Sequence, residues 1–529
     1  MSHPVIPAPL RFEGRAGRFA LRPGTRIVYT APGLTPLVER FCAELTRRTT
    51  LPVTPLPVTP VPGPPVAPLA ARPGSAEPSV RIELAAGPEL GTLPAPLGVS
   101  PGGDPADERY LLTVEPGQVV LRAAAPAGVA RSLTTLIQLL ADDREPSLPC
   151  GRILDAPRYA WRGLSLDLAR TFFTPGEVRR VIDLLALYKL NVLHLHLTYD
   201  QGWRLPAGCG EPDSVCYRAE DLRGLVGYAA DRFVTVVPEV DMPGHASALV
   251  RLRPELDSGR NGGAWLDPDL PTTFPLVEEV LAGVAGIFPG PYLHIGADEP
   301  GAMPHDLYVS FVRRVRDLVR AAGRRPLGWQ ESARAGLGPG DLIQYWVSGV
   351  PLAASVPPDV RAQMHADLAR SRRDVQTAAA ASARVIVSPQ SHCYLDVPYA
   401  GPSADPTQAD RQARVGLRLY APQTLAHSFA WDPAEALALT RPPQAAHPSQ
   451  RPHPPQVGGV EAAVWAETVA DFADLSFLLL PRLPGVAHKA WSDPQAASWT
   501  DHRDRLARHA RLWAQDDLTY FRAAAVTWR

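Results

Sequence analysis

Tyr292-Leu293-His294-Ile295-Gly296-Ala297-Asp298-Glu299 organises the reading of this chain. A short, mostly apolar run reads as a buried strand, and it ends in two adjacent carboxylates. A strand that stops on Asp-Glu places two acids at the rim of a sheet, within reach of a substrate. Cleavage of a glycosidic bond needs such a pair: one acid to donate a proton, one to stabilise positive charge. Alone the dipeptide is weak, because exposed Asp-Glu pairs are common. Its weight comes from what surrounds it.

From Trp161 onward the chain alternates strand and helix. Strand patterns fall at 163–167, 191–197, 234–240, 292–295, 325–329, 342–346, 384–388 and 458–465. Helical patterns lie between them. One runs over 175–189, with Val178, Val181, Ile182 and Leu185 on one face and Pro175 suited to its first turn. Others run over 219–232, 276–287 and 305–322, the last with Phe311, Val315 and Leu318 on one face. This order predicts a (β/α)8 barrel, with an open doubly wound sheet as the alternative. The barrel is favoured because polar and aromatic residues stand at the C-terminal end of nearly every strand, where barrel sites are built.

The chain has 529 residues, too many for one core of ordinary size. Three parts are expected: an α+β domain over 1–155, the barrel over 156–480, and a helical segment over 481–529 packed on the barrel. In the first, strands are expected at 27–29, 80–84, 110–114 and 119–121, and helices at 37–45 and 129–140. The proline-rich stretch 51–78 reads as an exposed loop or linker. In the last, Leu506, Leu512 and Trp513 are expected to pack against the barrel or an adjacent subunit.

The formal net charge is −1, which points to neither nucleic acid nor an anionic membrane as partner. No stretch has the length of a membrane span, and residues 1–10 lack a secretory pattern, so a cytoplasmic location is expected. The five cysteines fit no zinc spacing. Cys209 and Cys216 could pair across a loop, but free thiols are the expectation in that compartment. A monomer or homodimer is expected.

The strand ends bring together Asp167 and Arg170, Tyr199 and Asp200, Asp241 and His245, and Asp298 and Glu299. Later strands add Trp329, Trp346, Tyr394, Asp396, Trp465 and Glu467. Acids and indoles on one rim suit a sugar, whose C–H faces stack on aromatic rings while its hydroxyls pair with carboxylates or arginine. Any one tryptophan could equally be rim packing; three at the ends of different strands are harder to assign to packing. Arg170 reads either as a ligand contact or as a structural ion pair with Asp167. His245 reads as a site residue or as a core histidine at a turn. Asp241 reads as a reacting group or as a scaffold acid. His194 and His196 alternate with leucines on one strand and are expected to bond inside the barrel, not to hold zinc.

These segments resemble β-N-acetylhexosaminidases of glycoside hydrolase family 20. The matching stretches are residues 162–170 (RGLSLDLAR), 188–197 (YKLNVLHLHL), 200–204 (DQGWR), 238–245 (PEVDMPGH) and 294–299 (HIGADE), in the family's order. Weaker matches follow at Gly328-Trp329, Gln344-Tyr345-Trp346, Tyr394-Leu395-Asp396 and 459–467. The resemblance covers 158 to about 470, and the first 155 residues resemble the domain that precedes the barrel in many members. It implies exo-acting, retaining removal of terminal N-acetylglucosamine or N-acetylgalactosamine from an oligosaccharide or glycoconjugate. In that chemistry the substrate's own acetamido oxygen is the nucleophile and an oxazolinium forms. On this resemblance Glu299 is general acid and then base, and Asp298 orients the acetamido group. Tyr394 donates to the acetamido oxygen, and His245 polarises Glu299. Trp329, Trp346 and Trp465 wall the pocket. Arg170, Asp241, Asp396 and Glu467 bind or support. No metal or organic cofactor is implied.

Two departures stand out. The family's usual acid is replaced by Tyr199, and a phenol cannot support an imidazolium as a carboxylate does unless Asp200 swings in. Ala297 stands where glycine is usual. The segment between Arg204 and Tyr217 is also short. These changes keep two alternatives open: a weak or inactive amino-sugar-binding relative, and a glycosidase acting on a longer glycan.

Overall fold

A computed structural model of the protein describes residues 3–57, 78–142, 145–207, 215–260, 264–338, 340–440 and 455–529. Most of the proline-rich stretch, and Cys209, lie outside the described residues.

The N-terminal part is a sheet of seven strands: β1 (Arg11–Ala20), β2 (Arg26–Tyr29), β3 (Thr54–Pro57), β4 (Ser79–Leu84), β5 (Tyr110–Glu115), β6 (Gln118–Ala123) and β7 (Ser147–Asp155). Their order is β1-β7-β5-β6-β4-β2-β3. The β5–β6 hairpin alternates cleanly, with Leu112, Val114, Val119 and Leu121 all buried. β3 corrects part of the expected loop: Thr54 to Pro57 pair in parallel with β2 at the sheet edge, where proline is tolerated. Helices Thr35–Thr49 and Pro126–Leu139 complete this part.

Eight parallel strands then close into a barrel: β8 (Arg162–Asp167), β9 (Val192–His196), β10 (Thr235–Glu239), β11 (Tyr292–His294), β12 (Arg325–Trp329), β13 (Leu342–Tyr345), β14 (Arg384–Val387) and β15 (Gln456–Val464). β15 pairs with β8, so no edge is left. β8, β9 and β11 are buried along their whole length, as expected of strands wrapped by helices. Helix Pro175–Leu187 starts in a capping box in which Thr174 and Glu177 each satisfy the other's backbone N–H. No helix among the described residues is long and apolar enough to cross a membrane.

Buried polar groups join the two parts. Arg162 Nη2 lies 2.6 Å from Glu108, and Arg131 Nε lies 2.7 Å from the same carboxylate. Lys189 sits 3.0 Å from Asp155, which also accepts from Tyr110 and from Trp491 of the C-terminal helices. Groups so buried are tolerated only when paired in this way. Trp513 donates to Tyr188, fixing helix Trp499–Gln515 on the barrel. Cys216 is disulfide-bonded, which corrects the expectation of free thiols throughout; Cys42, Cys150 and Cys393 are free and buried.

Candidate active site

The barrel puts every candidate side chain on one rim. Asp167 ends β8, and its buried carboxylate accepts the backbone N–H of Ala169, Arg170 and Ala466. It also lies 2.8 Å from Arg170 Nη1, while Arg170 Nη2 lies 3.4 Å from Glu467. Both readings of Arg170 therefore meet. The ion pair exists, and it aims the other edge of the guanidinium at a carboxylate that is 31% exposed.

Asp298 and Glu299 follow β11 in opposite environments. Asp298 is 9% exposed, whereas the Glu299 side chain is 54% exposed. Asp241, two residues past β10, lies beside Asp298, their nearest oxygens within 4.8 Å. Burial first, then the charge of Asp241 on Asp298 and that of Glu239 on Asp241, hold both carboxyls well above the usual range. Asp241 is fixed by Thr198, which accepts its N–H at 2.8 Å, and by the N–H of Ala297 at 3.2 Å. A Cβ at Gly296 would fall 1.7 Å from Asp241 Oδ1, so only glycine allows this approach. Ala297 (φ 72°), Glu299 (φ 37°) and His245 (φ 52°) all adopt the left-handed region, a cluster of local strain beside the acids.

His245 Nδ1 lies 3.0 Å from Asp200, and its Nε2 lies 3.5 Å from Glu299. Asp200 also accepts from the Ser247 backbone and hydroxyl. The carboxylate that was missing from position 199 is thus supplied by its neighbour. Burial lowers the His245 pKa, but the bonds to Asp200 and Glu299 outweigh it and push it up to about 10. Burial raises that of Asp200, but His245 and Ser247 bring it down to about 2. The Tyr199 ring stacks on His245 at 4.0 Å and 20°. The Arg170 guanidinium lies 3.9 Å from the Tyr199 ring centroid and the His196 ring 5.3 Å away.

The later strands supply an aromatic pocket. Trp329 lies 6.5 Å from Trp346 and 5.9 Å from Trp465, and Tyr394 lies 5.8 Å from Trp465. The Trp346 and Tyr394 rings are parallel within 2°. Beside them Asp396 is 1% exposed, and neither carboxylate oxygen has a partner. Burial, then the charge of Glu467, hold its pKa well above the usual range. An orphaned carboxyl at the mouth of an aromatic pocket is a vacant acceptor for hydroxyl groups.

Three residues escaped the sequence reading. Glu331 accepts the Trp346 indole N–H at 3.1 Å, and burial pushes its pKa up to about 8. Its position two residues after Trp329 was the available signal. Tyr420 packs with Tyr394 and lies within reach of the charges of Asp396, Glu467 and Glu299; no strand pattern marks it. Glu239, the last residue of β10, accepts the Trp329 N–H at 2.8 Å from inside the barrel. Among the described residues two groups of side chains come close enough to hold a cation: His194, Glu239 and His294, and Asp241, His245 and Asp298. In the first, both histidines lie within ion-pair distance of Glu239; in the second, His245 is engaged by Asp200 and Glu299. His194 and His196 lie inside the barrel, each bonded to a buried glutamate.

Residues 159–494 match the glycosyl hydrolase family 20 catalytic domain, and residues 2–156 match domain 2 of that family. A β-N-acetylhexosaminidase of Cellulomonas fimi is 36% identical over 447 residues, which span 80% of this chain and 82% of that protein. A β-hexosaminidase of Akkermansia muciniphila is 29% identical over 77% of this chain and 83% of its own. The solved β-N-acetylhexosaminidase of Streptomyces coelicolor A3(2) superposes with a TM-score of 0.77 at 31% identity, covering 99% of both chains. A mutant Streptomyces plicatus β-hexosaminidase in complex with the product GlcNAc gives the same TM-score at 30% identity, covering 99% of this chain and 98% of that one. The chain belongs to glycoside hydrolase family 20. It is a glycoside hydrolase, a β-hexosaminidase of that family.

Proposed function

We propose that the enzyme is an exo-acting, retaining β-N-acetylhexosaminidase that releases terminal N-acetylglucosamine or N-acetylgalactosamine by substrate-assisted catalysis. The observation that carries this reading is the contrast between Asp298 and Glu299: adjacent acids, one enclosed and one half-exposed, beside an aromatic pocket sized by three indoles and Tyr394. Neighbouring carboxyls in unlike environments take unlike roles.

In the first step the carbonyl oxygen of the 2-acetamido group attacks the anomeric carbon. Glu299 gives its proton to the departing glycosidic oxygen, and the C–O bond breaks. Positive charge develops on the acetamido nitrogen. Asp298 accepts the N–H as that charge grows. The Tyr394 hydroxyl donates to the acetamido oxygen. In the second step Glu299, now a carboxylate, takes a proton from water as that water opens the oxazolinium ring. Two inversions at the anomeric carbon give net retention. His245, held by Asp200, donates toward Glu299 and steadies its ionised form between the steps. Arg170, Asp396 and Glu467 bind the ring hydroxyls of the terminal sugar, which fixes the exo mode.

The test is release of 4-nitrophenol from the 4-nitrophenyl β-glycosides of N-acetylglucosamine and N-acetylgalactosamine, for wild type and Glu299→Gln. Turnover by the wild type that collapses in the variant supports the assignment. Wild-type turnover no greater than the variant's, on both substrates at every pH, would overturn it in favour of amino-sugar binding or a longer glycan.

A further inference from the structure

The interior of the barrel holds a polar network that the proposed mechanism does not use. Glu239 is fully buried at the end of β10. Its Oε2 lies 3.1 Å from His194 Nε2 and 2.5 Å from His196 Nδ1. Its Oε1 lies 3.0 Å from His294 Nδ1 and accepts the Trp329 indole N–H at 2.8 Å. The Trp329 N–H and His196 Nδ1 hydrogen-bond to this carboxylate, while His194 Nε2 and His294 Nδ1 stand within ion-pair distance of it and His294 Nδ1 accepts the Gly296 N–H. One side chain thereby ties β9, β10, β11 and β12 together at the level of the pocket floor.

The network has a second carboxylate. Glu461 of β15 lies 2.8 Å from His194 Nδ1 and accepts from Gln344 at 3.1 Å and Trp161 at 2.8 Å. His194 therefore faces two buried acids, one at each ring nitrogen, and their charges favour its imidazolium form. Burial lowers its pKa, but Glu239 and Glu461 push it up to about 9. Burial raises that of Glu239, but the three histidines hold it well below the usual range. An indole bonded to an ionised carboxylate in a dry interior is held more firmly than one bonded to a neutral acceptor.

We propose that Glu239 is a positioning residue for catalysis: it pins the Trp329 indole from beneath, with His194 as counter-charge, and so sets the depth of the pocket that accepts the N-acyl group. The proposal rests on the reading that Trp329 walls the acetamido pocket. Trp329 is 1% exposed and touches both neighbouring walls, Trp346 and Trp465. A tilt of its ring would deepen the pocket by about one carbon. The predicted signature is in acyl-group selectivity, not only in rate. A hydrophobic pocket distinguishes one methylene by about 10- to 200-fold when its walls are rigid.

The experiment compares kcat/KM for 4-nitrophenyl N-acetyl- and N-propionyl-β-D-glucosaminide in wild type, Glu239→Gln and a variant with benzothienylalanine at Trp329. That analogue swaps the indole N–H for sulfur at nearly unchanged shape. Wild type is expected to prefer the acetyl substrate, and each variant to lose about tenfold of that preference. Combining the two changes should lose no more than the larger single loss, because both act on the same bond, one weakening it and one removing it. Loss of rate on both substrates with the ratio unchanged would overturn the proposal, as would additive effects. If Glu239→Gln does not fold, the Trp329 analogue alone decides: an unchanged ratio sinks the idea. A wild type inactive on the acetyl substrate would instead sink the function proposed above, so the two failures are distinguishable.

Discussion

The rim of this barrel divides into two halves that are held in different ways. β8 to β11 carry most of the charged groups, Arg170, Asp200, Asp241, His245, Asp298 and Glu299, while Asp396 and Glu467 stand with the later strands. β12 to β15 carry Trp329, Trp346, Tyr394 and Trp465. The charged half is strained, with left-handed backbone at His245, Ala297 and Glu299, while none of the four aromatic residues adopts it. The aromatic half is anchored from behind by buried acids, Trp329 on Glu239 and Trp346 on Glu331. Both departures from the family pattern, Tyr199 and Ala297, fall in the charged half. The comparison teaches that a proton-handling partner needs only reach, as Asp200 reaches His245 from the neighbouring loop. A shaped wall has no such freedom, since its position is its function.

The largest effect should come from the charged half. Glu299→Gln should lower kcat/KM on 4-nitrophenyl N-acetyl-β-D-glucosaminide by about 10²- to 10⁴-fold, the range for a lost general acid–base. Initial rates check this. Asp298→Asn should follow, at about 10²- to 10³-fold, because it weakens the acceptor for developing charge. Asp241→Asn sharpens the point. Removing the neighbouring charge lets Asp298 ionise more readily, so the acid limb of the pH–kcat profile should move to lower pH. A limb that stays in place would break the idea that Asp241 holds the Asp298 carboxyl up.

Asp200→Asn should cost about 10- to 100-fold in kcat with little change in KM, the usual range for a supporting partner. It should also change stability with a defined sign. The raised His245 pKa contributes stability that is full below its ordinary 6.5 and fades as pH rises toward about 10. The lowered Asp200 pKa contributes stability above its ordinary 3.8 that fades as pH falls toward about 2. The melting-temperature gap between wild type and Asp200→Asn should therefore be widest between these two ordinary values and narrow on either side. A gap independent of pH would mean that Asp200 does not pair with the imidazolium.

The smallest effect is expected at Ala297→Gly. Glycine relieves about 1 kcal/mol of left-handed strain but removes a fully buried methyl worth about 0.8 kcal/mol. Denaturant midpoints for the two proteins should nearly coincide. A large shift of either sign would show that one of the two opposing effects is misjudged.

Most of the barrel was legible because its strands are short apolar runs that end on polar residues, a pattern that a closed parallel sheet with a rim site explains. In the N-terminal sheet β2, β4, β5 and β6 were legible as short apolar and β-branched runs. β1 was not: RFEGRAGRFA is largely exposed, pairs along its length with β7, and offers no buried face to read. β3 was hidden because Pro55 and Pro57 argue against a strand except at an edge, and edges cannot be identified from sequence. In the site, residue types at strand ends were enough to nominate acids and indoles. What could not be read was which neighbour pairs with which. The bond from Asp200 to His245 depends on how the loops after β9 and β10 meet. The bond from Glu239 to Trp329 crosses the barrel interior between strands far apart in sequence.

The account turns on the substrate's own acetamido oxygen being the nucleophile. The direct test is kcat for 4-nitrophenyl β-D-glucosaminides bearing N-acetyl, N-fluoroacetyl, N-difluoroacetyl and N-trifluoroacetyl groups. Each fluorine weakens that oxygen as a nucleophile while changing size little. The account predicts a steep, monotonic fall in kcat along the series. A flat series would contradict it and move the attack to a protein carboxylate or to water.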